Sequence, residues 1–182
     1  MGKGIVEKLS QAYPLQIIWL GYELKPERPA EGEELAELFP NFDPVAAYGR
    51  FNKVGADYGL TFNPVTFLPN TKLALMATEY AKDQGLFEEF HAGVFKAYFS
   101  EGKNIGSQEV ILEIAVSLGL DKSQVAAALV DPQYQKRLED NRQAGLKWQV
   151  TGLPTFIIQD QQRIVGAQSY DTFKRAVEHF LK

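Results

Sequence analysis

What most limits the fold of this chain is a change of period along it. Across residues 70–147 the apolar residues recur only at helical spacing, whereas the runs suited to strands lie outside that block, at residues 15–21 and just after Pro154. Inside the block, Leu73, Met76, Ala77 and Tyr80 share one face, and Phe87, Phe90, Val94 and Tyr98 form the next. Val110, Ile111, Ile114 and Leu118 make a third face, which follows Ser107 and stops at Gly119. Asp121 with Gln124 reads as a capping box, and Asp131-Pro132 sets a cap before a proline at the first helical position. The block reads as a module of four helices. Strands before and after a helical module imply a mixed α/β domain interrupted by an all-helical insertion.

The flanks supply the α/β part. "GKGIVEKLSQAYP" puts Ile5, Val6 and Leu9 on one helical stripe ended by Pro14, and "LQIIWLGYEL" is dense enough in Ile, Trp and Leu to suit a strand at residues 15–21 covered on both faces. Residues 25–69 run from a Pro-, Glu- and Gly-rich excursion into a helix with Val45, Tyr48, Phe51, Val54 and Tyr58 on its apolar side. After Pro154 come a strand at residues 155–159, the polar turn "QDQQ", a second strand at 163–165, and a helix from Ser169 turning Phe173, Ala176, Val177 and Phe180 inward. The expected organisation is therefore a helix and strand of the core in residues 1–24, an excursion and helix in 25–69, the helical insertion in 70–147, and a hairpin and helix completing the core in 148–182. A helix followed by a buried parallel strand calls for another strand ahead of the helix. None precedes Met1 in the sequence.

Composition removes several kinds of chemistry. The 182 residues carry a net charge of −4 with acids and bases interspersed, so no basic face offers itself to nucleic acid or anionic lipid. No apolar run approaches the roughly 20 residues of a spanning helix, and the start lacks a secretory signal, which makes a cytoplasmic location the expectation. With no cysteine and two isolated histidines, the residues offer no disulfide, no thiol nucleophile and no zinc site, so neither cofactor nor metal is expected. His91 lies in "FEEFHAGVF" without a second ligand or an orienting partner in the pattern. His179 falls in the last turn of a helix, where a cation suits the dipole. Glu31, Glu33, Glu34 and Glu37 resemble catalytic carboxylates less than the solvated acidic start of a helix. Of Phe87, Phe90, Phe95, Tyr98 and Phe99, most read as core packing, with one or two left at a rim for an apolar peptide.

Five segments in this order, "GYELKPERPAEG", "LPNTKLALMA", "FKAYFSEGKNIGSQEVILEIAVSLGLD", "VTGLPTFII" and "GAQSYDTF", resemble the DsbA-like family of thioredoxin-fold proteins, and within it the cytoplasmic FrnE-type oxidoreductases. The resemblance covers nearly the whole chain and implies a thioredoxin-like fold with an all-helical insertion. Members of the family carry Cys-x-x-Cys at the start of the first helix, followed closely by a Gly-Lys pair. Gly2-Lys3 stands at that pair, with Met1 where an aliphatic residue commonly precedes it, so the first strand and both cysteines are missing from the sequence. The family's topology puts that strand between residues 15–21 and 155–159. Its loss would leave up to about ten ladder groups unpaired at roughly 1–3 kcal/mol each, against a total stability of about 5–15 kcal/mol. The expected remedy is a natural chain longer than these residues; a borrowed strand or a rearranged sheet are the others. The family also often has a histidine where this chain has Leu75, so that role does not carry over.

The resemblance further implies that the Leu153–Pro154 bond is cis and that the backbone of Thr151, Gly152, Leu153 and Pro154 receives an extended substrate by strand addition. In a complete form the function implied is protein disulfide exchange: a thiolate at a helix N-terminus attacks a disulfide, and a second cysteine resolves the mixed disulfide. The cysteine-free chain is expected not to turn over disulfides. A second reading is a glutathione-dependent isomerase or transferase of the 2-hydroxychromene-2-carboxylate isomerase (kappa) group. A third is a non-catalytic peptide-binding module. The partners implied are an extended peptide or protein thiol or disulfide, and glutathione; if the chain folds as it stands, a homodimer exchanging or adding strands is expected.

Overall fold

In chain order the computed structural model, which describes residues 2–181, forms α1 (Gly2–Ala12), β1 (Glu33–Glu34), α2 (Leu35–Leu38), α3 (Pro44–Gly55), β2 (Phe67–Leu68) and α4 (Lys72–Asp83). There follow α5 (Phe87–Phe99), α6 (Gln108–Ser117), α7 (Lys122–Ala128), α8 (Pro132–Lys147), β3 (Thr155–Ile158), β4 (Gln162–Val165) and α9 (Tyr170–His179). Met1, read above as the residue ahead of the Gly-Lys pair, lies outside the described residues. Residues up to Leu20 together with those from Gln143 onward make one unit, and Gly21–Arg142 the other.

The first unit closes on two amphipathic helices from opposite ends of the chain. Helix α1 buries Ile5 and Leu9, α9 buries Phe173, Ala176 and Val177, and the two helices pack on each other. Burial of each large side chain is worth about 1.5–3 kcal/mol. Ser169 caps α9, its Oγ accepting from Thr172 N at 3.3 Å. The β3–β4 hairpin pairs Thr155 with Val165 through Ile158 with Gln162, and Phe156 stands edge-on to Phe173 with ring centres 4.7 Å apart. Tyr13 Oη donates to Glu178 Oε1 at 2.7 Å, and that hydrogen bond to the carboxylate helps push the Tyr13 phenol up to about 12.

The second unit is built around α4. Ala74, Ala77 and Ala81 are almost wholly buried, and these small residues let α5, α6 and α7 close around it. Phe90, Ile111 and Val125 fill the space between, all below 2 % exposed. Thr78 returns its hydroxyl to Ala74 O at 2.7 Å, and buried Glu79 pairs with Lys82 at 2.6 Å. Asp83 ties α4 to α8, accepting from Arg137 Nη1 at 2.8 Å and from Tyr134 Oη at 3.1 Å. The Arg137 hydrogen bond holds the Asp83 carboxyl below its usual range.

Three expectations change. The segment at residues 15–21 has no strand partner among the described residues and is not covered on both faces: Ile18 is 75 % exposed, so hydrophobicity alone did not make a strand without a ladder beside it. The helical block holds five helices rather than four, because Asp121 and Asp131 each cap a helix of their own, accepting from Gln124 N and Gln133 N. Helix α3 forms with Asp43 as its cap, but turns Ala47 and Tyr48 inward and leaves Val45 72 % exposed. Its neighbours Val65, Phe62 and Phe99 pack on Tyr48 and Ala47, and that contact sets the face. The acidic helix start holds, with Glu34 as the N-cap of α2 and Glu37 in its first turn, both exposed; Glu33 and Glu34 also form β1, held by the pairing with β2 and the 2.7 Å bond from Arg28 Nε to Glu33.

Phe173→Ala should destabilise the protein by about 3–5 kcal/mol in urea denaturation, while Val45→Ala should stay within about 0.5 kcal/mol. Because the folded pKa of Asp83 is depressed, its stabilisation is complete above the unfolded value of about 4 and is lost as pH falls through the folded one. Asp83→Asn should therefore melt lower at pH 7 and show a shallower fall in Tm on acidification than the parent protein.

Candidate functional site

The loop at residues 151–154 is held from both ends. Helix α8 ends through Gln149, whose φ of 51° is left-handed, with Gln149 N bonded to Leu146 O at 3.0 Å and Val150 N to Gly145 O at 3.0 Å. Arg163 of β4 reaches back and donates to Trp148 O at 2.6 Å and Gln149 O at 2.7 Å, fixing the approach to the loop. At the far end, Thr155 Oγ1 donates to Gly152 O at 2.6 Å, and Gly166 N to Pro154 O at 2.7 Å. The Leu153–Pro154 bond is cis. Pro154 is half-buried, whereas Thr151 and Leu153, the latter 49 % exposed, face outward.

The start of α1 lies against this proline. A Cβ on Gly2 would come within 2.9 Å of Pro154 Cγ and 3.3 Å of Phe156 Cζ, so only glycine lets the helix approach so closely. Phe156 in turn rests on Phe173. The contact runs from the first turn of α1 through the proline and β3 into the core. Strand β3 has β4 on one side and, among the described residues, no strand on the other. An edge of this kind, entered through an outward loop with no ionisable side chain, can offer backbone donors and acceptors to an extended chain. Its polar side chains are the hydroxyls of Thr151 and Thr155, the latter bonded to Gly152 O.

The structure brings Thr151, Gly152, Leu153 and Pro154 together as one loop and places the other candidates elsewhere. His91 sits between the rings of Phe87 and Phe95 on α5, and His179 stands edge-on to Phe180 at the end of α9. No group of three or more His, Cys, Asp or Glu among the described residues is placed to hold a metal ion. Of the five aromatics, Phe90 is fully buried, Phe87, Tyr98 and Phe99 are half-buried, and Phe95 is exposed. The segment "LPNTKLALMA" does structural work: Asn70 Nδ2 donates to Arg28 O at 2.7 Å, its Oδ1 accepts from Lys72 N at 2.9 Å, and Leu75 packs over Gly21.

Two residues escaped the sequence reading. Glu23 is half-buried in the second unit, and burial raises its carboxyl pKa, with Lys72 and Arg142 opposing the shift and Glu139 adding to it. The presence of "Glu" in "GYELKP" gives no hint of that setting. Gly2 was read only as half of a dipeptide, and its steric role depends on a contact with a residue far along the chain.

Gly2→Ala should cost about 1–3 kcal/mol of stability, because a methyl group meets the rigid proline ring rather than a flexible side chain. Amide NMR shifts of Thr151 and Leu153 should move with it, whereas Gln11→Ala, at an exposed position of α1, should leave those amides in place.

Comparison with known proteins agrees with this architecture. The model of the DSBA-like thioredoxin domain family matches residues 1–178. The uncharacterized protein YwbO of Bacillus subtilis (strain 168) is 29% identical over 185 residues, covering 97% of this chain and 88% of that protein. Among solved structures, the probable DsbA oxidoreductase SCO1869 of Streptomyces coelicolor superposes with a TM-score of 0.87 at 23% identity, covering 98% of this chain and 82% of the other. A 2-hydroxychromene-2-carboxylate isomerase superposes with a TM-score of 0.67 at 18% identity, covering 99% and 88%. The chain has the DsbA-like thioredoxin fold, largely helical with few strands, and it belongs to the DSBA-like thioredoxin domain family.

Proposed function

We propose that this protein serves thiol–disulfide chemistry as a FrnE-type member of its family, with Thr151, Gly152, Leu153 and Pro154 as the surface that receives an extended peptide or a thiol such as glutathione. The observation that carries the reading is the anchored, outward loop leading into a β3 edge with no strand beside it among the described residues. Backbone groups on such an edge take up a strand irrespective of its sequence, while exposed Leu153 supplies an apolar contact. The 182 residues contain no cysteine, so they bind such substrates and do not themselves exchange disulfides. No helix among the described residues is long and apolar enough to cross a membrane. A cytoplasmic location fits the proposed use of glutathione.

The likeness to the isomerase favours a second reading, glutathione-dependent isomerisation of a small aromatic acid. Both readings are tested together. Titration with an unstructured peptide carrying an S-alkylated cysteine should shift the amides of Thr151 and Leu153, and Leu153→Asp should weaken binding about tenfold without lowering Tm. Insulin reduction should be absent. Turnover of 2-hydroxychromene-2-carboxylate with glutathione would establish the second reading, and cysteine-free disulfide turnover would refute the first.

A further inference from the structure

Helix α5 carries an exposed pattern that the proposed function does not use. Its inner side buries Phe90, Val94 and Ala97. On the other side Glu88, Ala92 and Lys96 lie four residues apart and are all exposed, so acid, small residue and base follow one another along one face. Beside them runs a second stripe, Phe87, His91, Phe95 and Phe99, with successive ring centres 5.6, 4.3 and 5.5 Å apart. Phe95 is 50 % exposed although its ring is already stacked on His91. Rings held in place by one another lose little freedom when covered, which favours an interface.

The order of the charges identifies the occupant. Glu88 and Lys96 are equidistant from Ala92, so a face complementary to this one must present base, small residue and acid at the same spacing in the opposite direction. The same helix, turned about a two-fold axis through Ala92, presents that face. We propose that two copies of this chain associate through α5, packed antiparallel about Ala92, each Glu88 facing Lys96 of the other copy and the Phe95 side chains covered between them. Alanine at the crossing allows the axes to approach to about 8 Å, the lower end of helix packing distances. Antiparallel helices also oppose their dipoles favourably. Lys96 holds Glu101 at 3.3 Å within its own chain, but that exposed pair can give way to a partner at little cost. Two-fold contacts of this sort are the commonest in soluble oligomers.

Sedimentation of the full chain across the micromolar range tests the interface. The protein should be a concentration-dependent dimer, and Ala92→Arg, which sets two like charges against each other at the axis, should be monomeric with an unchanged far-UV circular dichroism spectrum. Glu88→Lys and Lys96→Glu, both at exposed positions, should each raise the dimer Kd by about tenfold or more, since each replaces two attractive pairs by two repulsive ones. Mixed in equal amounts, these two variants should form a heterodimer, and the doubly substituted chain should regain the parent Kd. A monomeric parent protein overturns the proposal, whether the face then binds an apolar helical peptide or nothing. So does a dimer that is indifferent to all three substitutions, which would place the interface elsewhere, as on the β3 edge.

Discussion

The first unit depends on a single line of contact: the opening turn of α1 against Pro154, Pro154 into β3, and Phe156 of β3 against Phe173 of α9. Each member is positioned by the next. The glycine admits the proline, the proline begins the strand, and the strand's aromatic side chain locks the hairpin to the helix that buries Ala176 and Val177. This line runs between segments more than 150 residues apart in sequence, so closing it costs loop-closure entropy that its contacts must offset. Arg163 adds the remaining constraint by gripping the carbonyls at the end of α8. The loop at residues 151–154 is thus fixed at both ends while Thr151 and Leu153 stay exposed.

The second unit is stabilised differently. It relies on local, consecutive helices around α4, whose alanines trade side-chain volume for close approach, and on polar ties at the helix ends such as Tyr80 to Gln124 at 2.9 Å and Asp83 to Arg137. Contacts between helices near in sequence form readily. The loop at residues 151–154 and the helical unit are each held by contacts of their own.

Much of this was legible in the chain. Helical spacing at Phe90, Val94, Ile111 and Ile114 identified core positions, the aspartates at 43, 121 and 131 and Ser169 mark helix starts where the side chains do cap, and "VTGLPTF" located the loop. Position 43 was not read as a cap, although Asp before Pro44 carries that signal. What failed were inferences that need a partner. Residues 15–21 have the composition of a strand, but a strand exists only through its ladder. Val45, Phe51 and Val54 keep helical period while facing outward, since period tells that a helix has an apolar stripe and not what covers it. The β1–β2 pairing was invisible because two glutamates carry no strand preference, and it is fixed by the Arg28 ion pair and by Leu35 N bonding to Thr66 O at 2.7 Å.

The β3 edge and the segment at residues 15–21 present one physical problem twice. Each offers backbone groups that the described residues do not pair in a ladder, and each carries apolar side chains near the surface, Ile157 half-buried in one and Ile18 exposed in the other. Water can satisfy the amides, but it cannot recover the apolar burial that a neighbouring strand would bring. On the proposed reading, an extended chain laid along β3 would gain both terms at once, with the loop already held by the Arg163 and Thr155 bonds. Affinity at this edge should accordingly depend on backbone extension and a few apolar side chains far more than on charge, because no ionisable group lies within residues 151–158.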